Sequence, residues 1–356
     1  AVELCRAALL LEAGTLSLPG DPLADHVRCG NSLLGVTPAI LARGLEELAS
    51  PAGSGVVEAP ARSRRARSPR AGAARGQGLL DLVDASAVAT GGAGVGATDR
   101  AAERATARAA DRATDRAADA WCASFLRTPG LDEPVAELVA RHRLVHWPLA
   151  FPQIFAREEA SGFDLLLGNP PWERIRLEER EWFATRAPAI AVLPTAAQRK
   201  ARIAALAQED PELFAELQAA RRQAAAEARF VHRAGAYPLC GRGDLNRYAL
   251  FAELGLRLVQ PHGRVGLILP SGIATDGTTR LFFRHVVTQG LLHHLYDFEN
   301  RQRLFPSVDE RFKFTLLTLA GPGEPARQGA TVVCFATTPE ELAEPARRVR
   351  VTPGDL

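Results

Sequence analysis

The segment from residue 163 to 172, Phe-Asp-Leu-Leu-Leu-Gly-Asn-Pro-Pro-Trp, joins an apolar run to groups that can hold a planar amine. Asn169 supplies an amide oxygen, and Pro170 supplies a carbonyl whose direction is restricted by Pro171. Trp172 adds a large flat ring. The two acceptors could receive both hydrogens of an exocyclic amine, while the ring stacks on the base that carries the amine. A flipped nucleobase is held in this way. The predicted chemistry is therefore recognition of adenine N6 or a similar planar amine.

The elements that must position this loop can be predicted from the same stretch and its neighbours. The run 163–167 has the length of a buried parallel strand, and Gly168 with the two prolines ends it. Ligands of open α/β sheets bind at the carboxyl ends of strands, so the loop is expected there, on a central strand. Residues 246–260 predict an amphipathic helix, and 265–269 a second buried strand followed by Pro270, Ser271 and Gly272. Such a crossover predicts adjacent parallel strands in a doubly wound sheet.

At residues 168–173 the chain resembles the amino-methyltransferases that use S-adenosylmethionine, whose signature is Asn, Asp or Ser, then Pro, Pro and an aromatic residue. The Trp form after Gly-Phe-Asp looks most like the large bacterial restriction-modification adenine methyltransferases of type IIG and their phage-defence relatives. Other segments occur in the family's order, at residues 29–33, 146–149, 151–155, 246–248, 269–272, 296–300, 305–306 and 312–314. The resemblance covers most of the chain outside residues 49–117.

The resemblance implies an α/β fold with a Rossmann-like class I methyltransferase sheet, its first strands missing, and helical insertions. Segments 295–298 and 314–319 would be its closing antiparallel pair. It implies site-specific methyl transfer from S-adenosylmethionine to adenine N6, with double-stranded DNA as partner and restriction or defence-system subunits as further partners. The implied catalytic residues are Asn169, Pro170, Pro171 and Trp172, and the implied cofactor-binding residues are Asn31, Ser32, Gly168 and Asn169.

Several of these assignments have alternatives. Asn31 beside Gly30 is also typical of a simple turn, and Trp172 could be a core aromatic packed under its loop. Relatives with the same loop methylate glutamine side chains of proteins or amines of RNA, although the long insertions on both sides of this loop favour DNA. The remaining alternative is a non-catalytic DNA-binding or assembly subunit, with a cofactor half that is lost or supplied by another chain.

Composition sets the broad class of the protein. A chain of 356 residues allows two domains or one with insertions, and a net charge of +2 argues neither for nor against nucleic acid. No apolar run approaches the roughly 18 residues that span a bilayer, so no membrane association is expected. Five unclustered cysteines fit a reducing cytoplasm. His142 and His146 share a possible helix face, but without a third ligand nearby a core or capping role is expected rather than metal binding.

Residues 49–98 interrupt the family pattern with Ser, Pro, Gly, Ala and six crowded arginines between 62 and 75. They predict a flexible insertion whose arginines are either solvated or in contact with DNA phosphates. Gly92, Gly94 and Ala97 match Gly-x-Gly-x-x-Ala, but the only strand candidate before them, 79–83, is too distant for a cofactor loop. Residues 98–120 predict an exposed helix that docks only near Trp121.

We divide the chain into 1–48, a remnant of the cofactor-binding half; 49–117, a low-complexity insertion; 118–335, the catalytic half with a helical insertion at about 177–235; and 336–356, a connection toward an absent target-recognition domain. The chain starts inside a predicted helix at 2–11, and no glycine-rich methionine loop or ribose-binding acid is recognised, so a fragment is expected. We expect it to be inactive alone and to expose an unpaired sheet edge.

Overall fold

The computed structural model describes residues 28–41, 97–157, 160–323, 325–326 and 328–355, with side chains from residue 110 onward in the long helix that starts at 97. Several sequence predictions lie outside these residues. They are the helix at 2–11, the arginine-rich insertion up to residue 96 and the strand candidate at 79–83, together with the two glycines of the Gly-x-Gly-x-x-Ala match.

Twelve α-helices and six strands make up the described chain. The helices are α1 (Pro38–Leu41), α2 (Ala97–Leu126), α3 (Val135–His142), α4 (Trp147–Ala150), α5 (Pro152–Phe155), α6 (Glu179–Arg186), α7 (Pro188–Ala191), α8 (Ala196–Glu209), α9 (Pro211–Arg233), α10 (Arg247–Leu258), α11 (Gly272–Thr275) and α12 (Arg280–Thr288). The strands are β1 (Phe163–Gly168), β2 (Val259–Pro270), β3 (Leu292–Glu299), β4 (Lys313–Ala320), β5 (Ala330–Ala336) and β6 (Val349–Val351).

The six strands form one mixed sheet in the order β1-β2-β4-β3-β5-β6. Strands β1 and β2 are parallel neighbours, with Leu166 opposite Val265, and α10 connects them as the sequence predicted. Strand β4 runs antiparallel to both β2 and β3, so the expected closing pair is also present. The α/β, Rossmann-like class predicted from the sequence is confirmed. The short strand β6, which pairs with β5, was not predicted.

Strand β1 differs from its prediction as a buried central strand. Within the described sheet it is the edge strand, because β2 is its one hydrogen-bonded neighbour there. Successive side chains of a strand face opposite sides. Leu166 packs against the core, whereas Leu165 and Leu167 are 56% and 75% exposed. Apolar composition is typical of parallel strands covered on both faces, so it could not reveal that one face is open here. An unpaired edge at this strand was, however, expected from the family resemblance.

The main core lies between the sheet and the helices α2, α9, α10 and α12. Trp121 of α2 is buried and makes edge-to-face contacts with Phe125 and Phe230, at centroid distances of 5.2 and 5.9 Å. Residues 110–117 of α2 are exposed or half-buried, whereas Trp121, Cys122 and Leu126 are buried. The prediction that this helix docks at its Trp121 end is therefore confirmed.

The predicted helical insertion consists of α6 to α9 and has a small hydrophobic core of its own, made of Phe183, Ile190, Ile203, Leu206 and Leu217. Its longest helix, α9, continues into the main core through Phe230 and Val231. The insertion is thus a separate small helical layer that is anchored by one end of one helix. In the described part of the chain, none of the helices has the length and apolarity that crossing a membrane would require.

Candidate functional site

The loop after β1 holds its asparagine and tryptophan together. The indole Nε1–H of Trp172 donates a hydrogen bond of 3.1 Å to Oδ1 of Asn169. Asn169 is exposed and Pro170 is buried, so the amide is presented to solvent above a proline that anchors the loop. Trp172 is half-buried and packs against both the main core and a second cluster that contains Phe298 and Phe314. Trp172 is therefore both a packed residue and a surface-accessible one.

Short backbone contacts fix where this loop lies. Residue Arg174 forms an isolated antiparallel bridge with Asn246. On either side of it, the N–H of Ile175 donates to the carbonyl of Leu245 at 2.9 Å, and the N–H of Arg247 donates to the carbonyl of Glu173 at 3.0 Å. These contacts bring the loop after β1 to the start of α10, although the two segments are some seventy residues apart in the chain.

The loop after β2 is held to strands β3 and β4 by a buried carboxylate. The hydroxyl of Ser271 donates to Asp297 Oδ1, and the hydroxyl of Thr315 donates to the same oxygen at 3.3 Å. Asp297 and Thr315 are buried. Because a buried carboxylate is stable only when it is hydrogen-bonded, these contacts bind the Ser271 loop to the centre of the sheet.

Gly272, at the start of α11, allows two polar side chains to come close together. A Cβ at this position would lie 2.5 Å from Asp276 Oδ2 and 2.9 Å from the Tyr248 hydroxyl oxygen. The Tyr248 hydroxyl donates to Asp276 Oδ2 at 3.2 Å. Burial, and to a lesser degree the Asp276 carboxylate, raises the pKa of Tyr248 well above its usual value, so the phenol keeps its proton and remains a donor.

These loops surround one cavity of about 510 Å³ at the carboxyl ends of β1 and β2. Its wall is formed by Trp172, Glu173, Arg174, Arg176, Glu178, Glu181, Asn246, Tyr248, Pro270, Ser271, Gly272, Asp276 and Lys313. A depression of about 610 Å³ lies over the hairpin 303–311, but residues of that single loop line it, so it lacks groups that converge from several elements. The smaller cavity is the candidate site because four separate segments of the sequence meet there.

The wall of the cavity has a nearly balanced charge. It carries four carboxylates and three cationic side chains. Arg174 pairs with Asp244 at 2.6 Å, Lys313 pairs with Glu299 at 2.8 Å, and the guanidinium of Arg176 contacts the Glu178 carboxylate. The contacts with Lys313, and more weakly Arg301, also hold the pKa of Glu299 below its usual value. A cavity with paired cations suits a neutral planar group better than a phosphate.

The two cofactor residues expected near the start of the chain lie in a tight turn. Asn31 Oδ1 accepts the N–H of Leu33 at 3.2 Å, and the backbone N–H of Asn31 donates to the Arg143 carbonyl at 2.7 Å. The carbonyl of Ser32 accepts the indole N–H of Trp147 at 3.1 Å. Trp147 packs on Phe163, at the end of β1 opposite to Gly168 and Asn169. The structure therefore brings Trp172 to Asn169, and the turn of Asn31 and Ser32 packs near the other end of β1.

His146 is held by hydrogen bonds to two other segments of the fold, and His142 is buried. His146 Nδ1 accepts the N–H of Val36 at 3.1 Å, so its proton is on Nε2, which donates to Asp119 at 3.0 Å. His142 ends α3 and is buried, and this burial lowers its pKa. Among the described residues, no group of three or more His, Cys, Asp or Glu side chains is placed to hold a metal ion.

Sequence reasoning missed some residues of the site. Asp276 is followed by Gly277, which predicts a turn, but nothing in the sequence indicates its bond to Tyr248. The Ser271 to Asp297 contact spans 26 residues without a periodic signal. Both contacts depend on the order of strands in the sheet, which local sequence patterns do not specify.

Comparison with known proteins finds only a distant likeness. No family model matches the chain, and no curated protein matches it. A protein described as a class I S-adenosylmethionine-dependent methyltransferase from Listeria monocytogenes is 10% identical, with 65% of this chain and 49% of that chain covered and a TM-score of 0.29. The DrdV–DNA complex is 10% identical, with 60% and 18% covered and a TM-score of 0.26.

A nuclease-deletion mutant of the Type ISP restriction-modification enzyme LlaGI, in complex with a DNA substrate mimic, is 11% identical, with 58% and 16% covered and a TM-score of 0.27. The chain spans about half or less of the length of these three proteins. Likeness at this level does not transfer their activities to this chain.

Proposed function

We propose that this chain carries the acceptor-base site of a site-specific adenine-N6 DNA methyltransferase that belongs to a restriction-modification or phage-defence system. The observation that carries the proposal is that Trp172, which lines the 510 Å³ cavity, donates a hydrogen bond of 3.1 Å to Oδ1 of the exposed Asn169 and so holds this amide next to the cavity. That volume lies within the roughly 300 to 1,000 Å³ of sites that enclose small organic groups. The nearly balanced charge of the wall suits a neutral base.

The loop can contact the exocyclic amine of adenine with two acceptors. A side-chain amide oxygen has two lone pairs, and the Trp172 N–H occupies one of those on Asn169 Oδ1. The second lone pair is free to accept one N6 hydrogen, and the carbonyl of Pro170 accepts the other. These bonds draw lone-pair density on N6 away from the ring, toward the position where a methyl group would be received. The Trp172 ring contributes stacking of about 1 to 3 kcal/mol.

Orientation and charge stabilisation would supply most of the catalysis. S-adenosylmethionine, when bound, supplies an already activated methyl group, and the amine becomes acidic only after it is methylated, so no general base is needed before attack. The contributions of this chain are therefore to hold the base, to orient N6 and to exclude water. The bond between Trp172 and Asn169 fixes the amide in advance, which reduces the entropy cost of that orientation.

A second candidate is a non-catalytic DNA-binding or assembly subunit. One observation favours it: Asn31 Oδ1 accepts a hydrogen bond within its own turn, as a structural turn residue does. Binding of S-adenosylmethionine in isothermal titration with DNA present would exclude the non-catalytic subunit, whereas absence of binding is expected for both candidates, because the chain is expected to be inactive alone. A protein-glutamine or RNA acceptor keeps the same loop chemistry and differs only in the substrate that is bound.

The proposal is tested by base discrimination, which requires no cofactor. Two duplexes differ only at the target position, which carries adenine or the same purine without its amine, opposite an abasic site. We expect the wild type to prefer adenine by about 5- to 30-fold, the value of one or two hydrogen bonds at about 1 kcal/mol net each. Asn169→Ala should reduce this preference by about fivefold, because the Pro170 carbonyl remains, and should leave affinity for the amine-free duplex unchanged.

Gln153→Ala is the matched control, because it removes an exposed amide on α5, near the other end of β1. Its preference for adenine should equal that of the wild type. Equal binding of both duplexes by the wild-type protein would refute the amine-binding assignment of Asn169. Mass spectrometry of nucleosides after incubation with S-adenosylmethionine then reports whether N6-methyladenine is formed.

A further inference from the structure

Phe335 near the end of β5 has a conformation that its surroundings do not explain. Its φ is +57°, in the left-handed region that is rare for a bulky side chain. It lies in a β-bulge, because Tyr296 pairs with Val333 and Phe298 pairs with Ala336, so that two residues of β5 face one residue of β3. Glycine is the usual residue at a left-handed bulge position. A phenylalanine there keeps backbone strain that a smaller residue would avoid.

The bulge turns the Phe335 side chain outward. Val333 and Ala336, which flank the two exposed residues Cys334 and Phe335, are buried and belong to the small cluster on which Trp172 packs. Phe335 itself is 58% exposed. A large aromatic residue that is both strained and exposed contributes little to the core. Strained and bulged positions concentrate at functional sites, where a side chain is aimed at a ligand.

The sheet topology places Phe335 at the end of the sheet that carries the candidate site, where the carboxyl ends of several strands meet. Strand β4 is antiparallel to β2 and β3, and β5 is parallel to β3. The carboxyl ends of β1, β2, β3 and β5 therefore all lie at the same end of the sheet. Lys313, the first residue of β4, connects the two places. It lines the cavity beside Trp172, and its Nζ lies 4.7 Å from the centroid of the Phe335 ring.

We propose that Phe335 is a second aromatic platform, which stacks on an unpaired nucleobase next to the base held by Trp172. Lys313 contacts the ring through its ammonium group and so fixes the ring's orientation. Base stacking on an aromatic ring tolerates any sequence, because every base has a π-face, and a base displaced from a duplex needs such a partner. The proposal rests on the proposed function, since it requires a nucleic acid at this end of the sheet.

The nature of the surrounding surface favours nucleic acid over an apolar protein segment. Residues 299–313 carry four cationic and three anionic side chains beside Phe305 and Phe312, which are 38% and 55% exposed. Three of these cations are paired with carboxylates, so the feature that suits a nucleic acid is the exposed aromatic rings in a polar surface, on which bases stack. A purely apolar partner would leave these charges buried and poorly solvated.

The test uses variants that separate the ring from the backbone. Phe335→Gly removes the ring and adopts φ +57° without strain, and Phe335→Trp keeps an aromatic platform. The ligand is a fluorescein-labelled single-stranded (dA)12 oligonucleotide, and its affinity for the full chain is measured by fluorescence anisotropy. We expect Phe335→Gly to weaken binding by at least about fivefold, within the 5- to 150-fold range of one lost stacking contact. Phe335→Trp should bind within about twofold of the wild type.

Stability measurements control for unfolding. Phe335→Gly should be at least as stable as the wild type in urea, so its lost affinity cannot result from unfolding; Phe335→Asn, which also tolerates this φ, serves as a second ring-less variant. Trp172→Ala reports on the proposed function. If Trp172→Ala weakens binding and Phe335→Gly does not, the second platform is wrong and the base site stands. If only Phe335→Gly weakens binding, the base site is wrong and the platform stands; no binding by the wild type refutes both.

Discussion

Asn300 organises the hairpin between β3 and β4, and its replacement tests how the rim of the site is held. The side chain is fully buried and makes three hydrogen bonds with the hairpin. Its Nδ2 donates to the carbonyls of Phe305 at 3.0 Å and Val308 at 2.9 Å, and its Oδ1 accepts the N–H of Phe305 at 3.0 Å. One amide therefore satisfies three backbone groups of the hairpin.

The expected cost of Asn300→Ala follows from these bonds. At about 1 kcal/mol net for each bond, their complete loss would cost about 3 kcal/mol. Phe305 and Val308 are 38% and 37% exposed, so water can reach part of the freed backbone. We therefore expect the free energy of unfolding to fall by about 2 kcal/mol. The change should also loosen the edge-to-face contact between Phe305 and Phe314, whose ring centroids are 5.0 Å apart.

Two measurements check this expectation. Urea denaturation gives the free energy of unfolding, and limited trypsin digestion at Arg303 and Arg311 reports opening of the hairpin before global unfolding. Asn300→Asp is the matched variant, because it keeps the acceptor but sets a carboxylate against two carbonyls. It should be at least as destabilised as the alanine variant at pH 7, and less so at a pH low enough to protonate it. A loss below about 0.5 kcal/mol without faster cleavage would refute the reasoning.

Three other substitutions have defined expected outcomes. Trp172→Phe keeps a ring but removes the N–H that holds the loop amide, so the preference for adenine over amine-free purine should decrease in the duplex assay while overall affinity is largely retained. Gly241→Ala places a Cβ 2.4 Å from a backbone oxygen and should cost about 1 to 3 kcal/mol in urea denaturation, whereas Gly277→Ala, with nothing within 4 Å, should be neutral. Hydrogen bonds from Arg141 and from a backbone N–H lower the pKa of Glu133 from its usual value of 4.5 to about 2. The Glu133 carboxylate therefore binds a proton more readily in the unfolded chain than in the folded one. The ionised carboxylate stabilises the fold above about pH 4.5, and this stabilisation is lost as the pH falls toward 2. The difference in the free energy of unfolding between wild type and Glu133→Gln should therefore shrink between pH 5 and pH 3.

Strong local signals allowed part of the fold to be predicted from the sequence. The runs 163–167 and 265–269 are short apolar segments with a stop signal, and the helix before residue 260 has helical periodicity. All three form the predicted type of element, although β1 is not buried on both faces. The edge position of β1 does not follow from its own apolar composition, and the turn at Asn31 was considered only as the alternative to a cofactor contact. Strand neighbours and the hydrogen bond that a particular amide makes depend on contacts between distant segments, whereas composition reports only that a strand is apolar or a turn is polar.

Phe335 is a second feature that local sequence patterns do not specify. The apolar segment 330–336 correctly indicates a strand, but a bulge adds one residue without changing the composition. Only the pairing with β3 reveals that Phe335 is turned out of the ladder.

The topology itself explains why the residues of the site are so far apart in the sequence. Four strands run in the same direction, so their carboxyl ends lie at one end of the sheet, and the antiparallel β4 begins there. Consequently the residues that follow β1 and β2, the last residues of β5 and the first residue of β4 all reach the same end of the sheet, as Asn169, Ser271, Phe335 and Lys313 do. The antiparallel strand β4, which lies between β2 and β3, thus adds the start of a strand, with its cationic side chain, beside the carboxyl ends of its two neighbours. This is why Lys313 can contact both the base cavity and the Phe335 ring, and why the two proposed aromatic platforms are expected to act on neighbouring bases of one DNA strand.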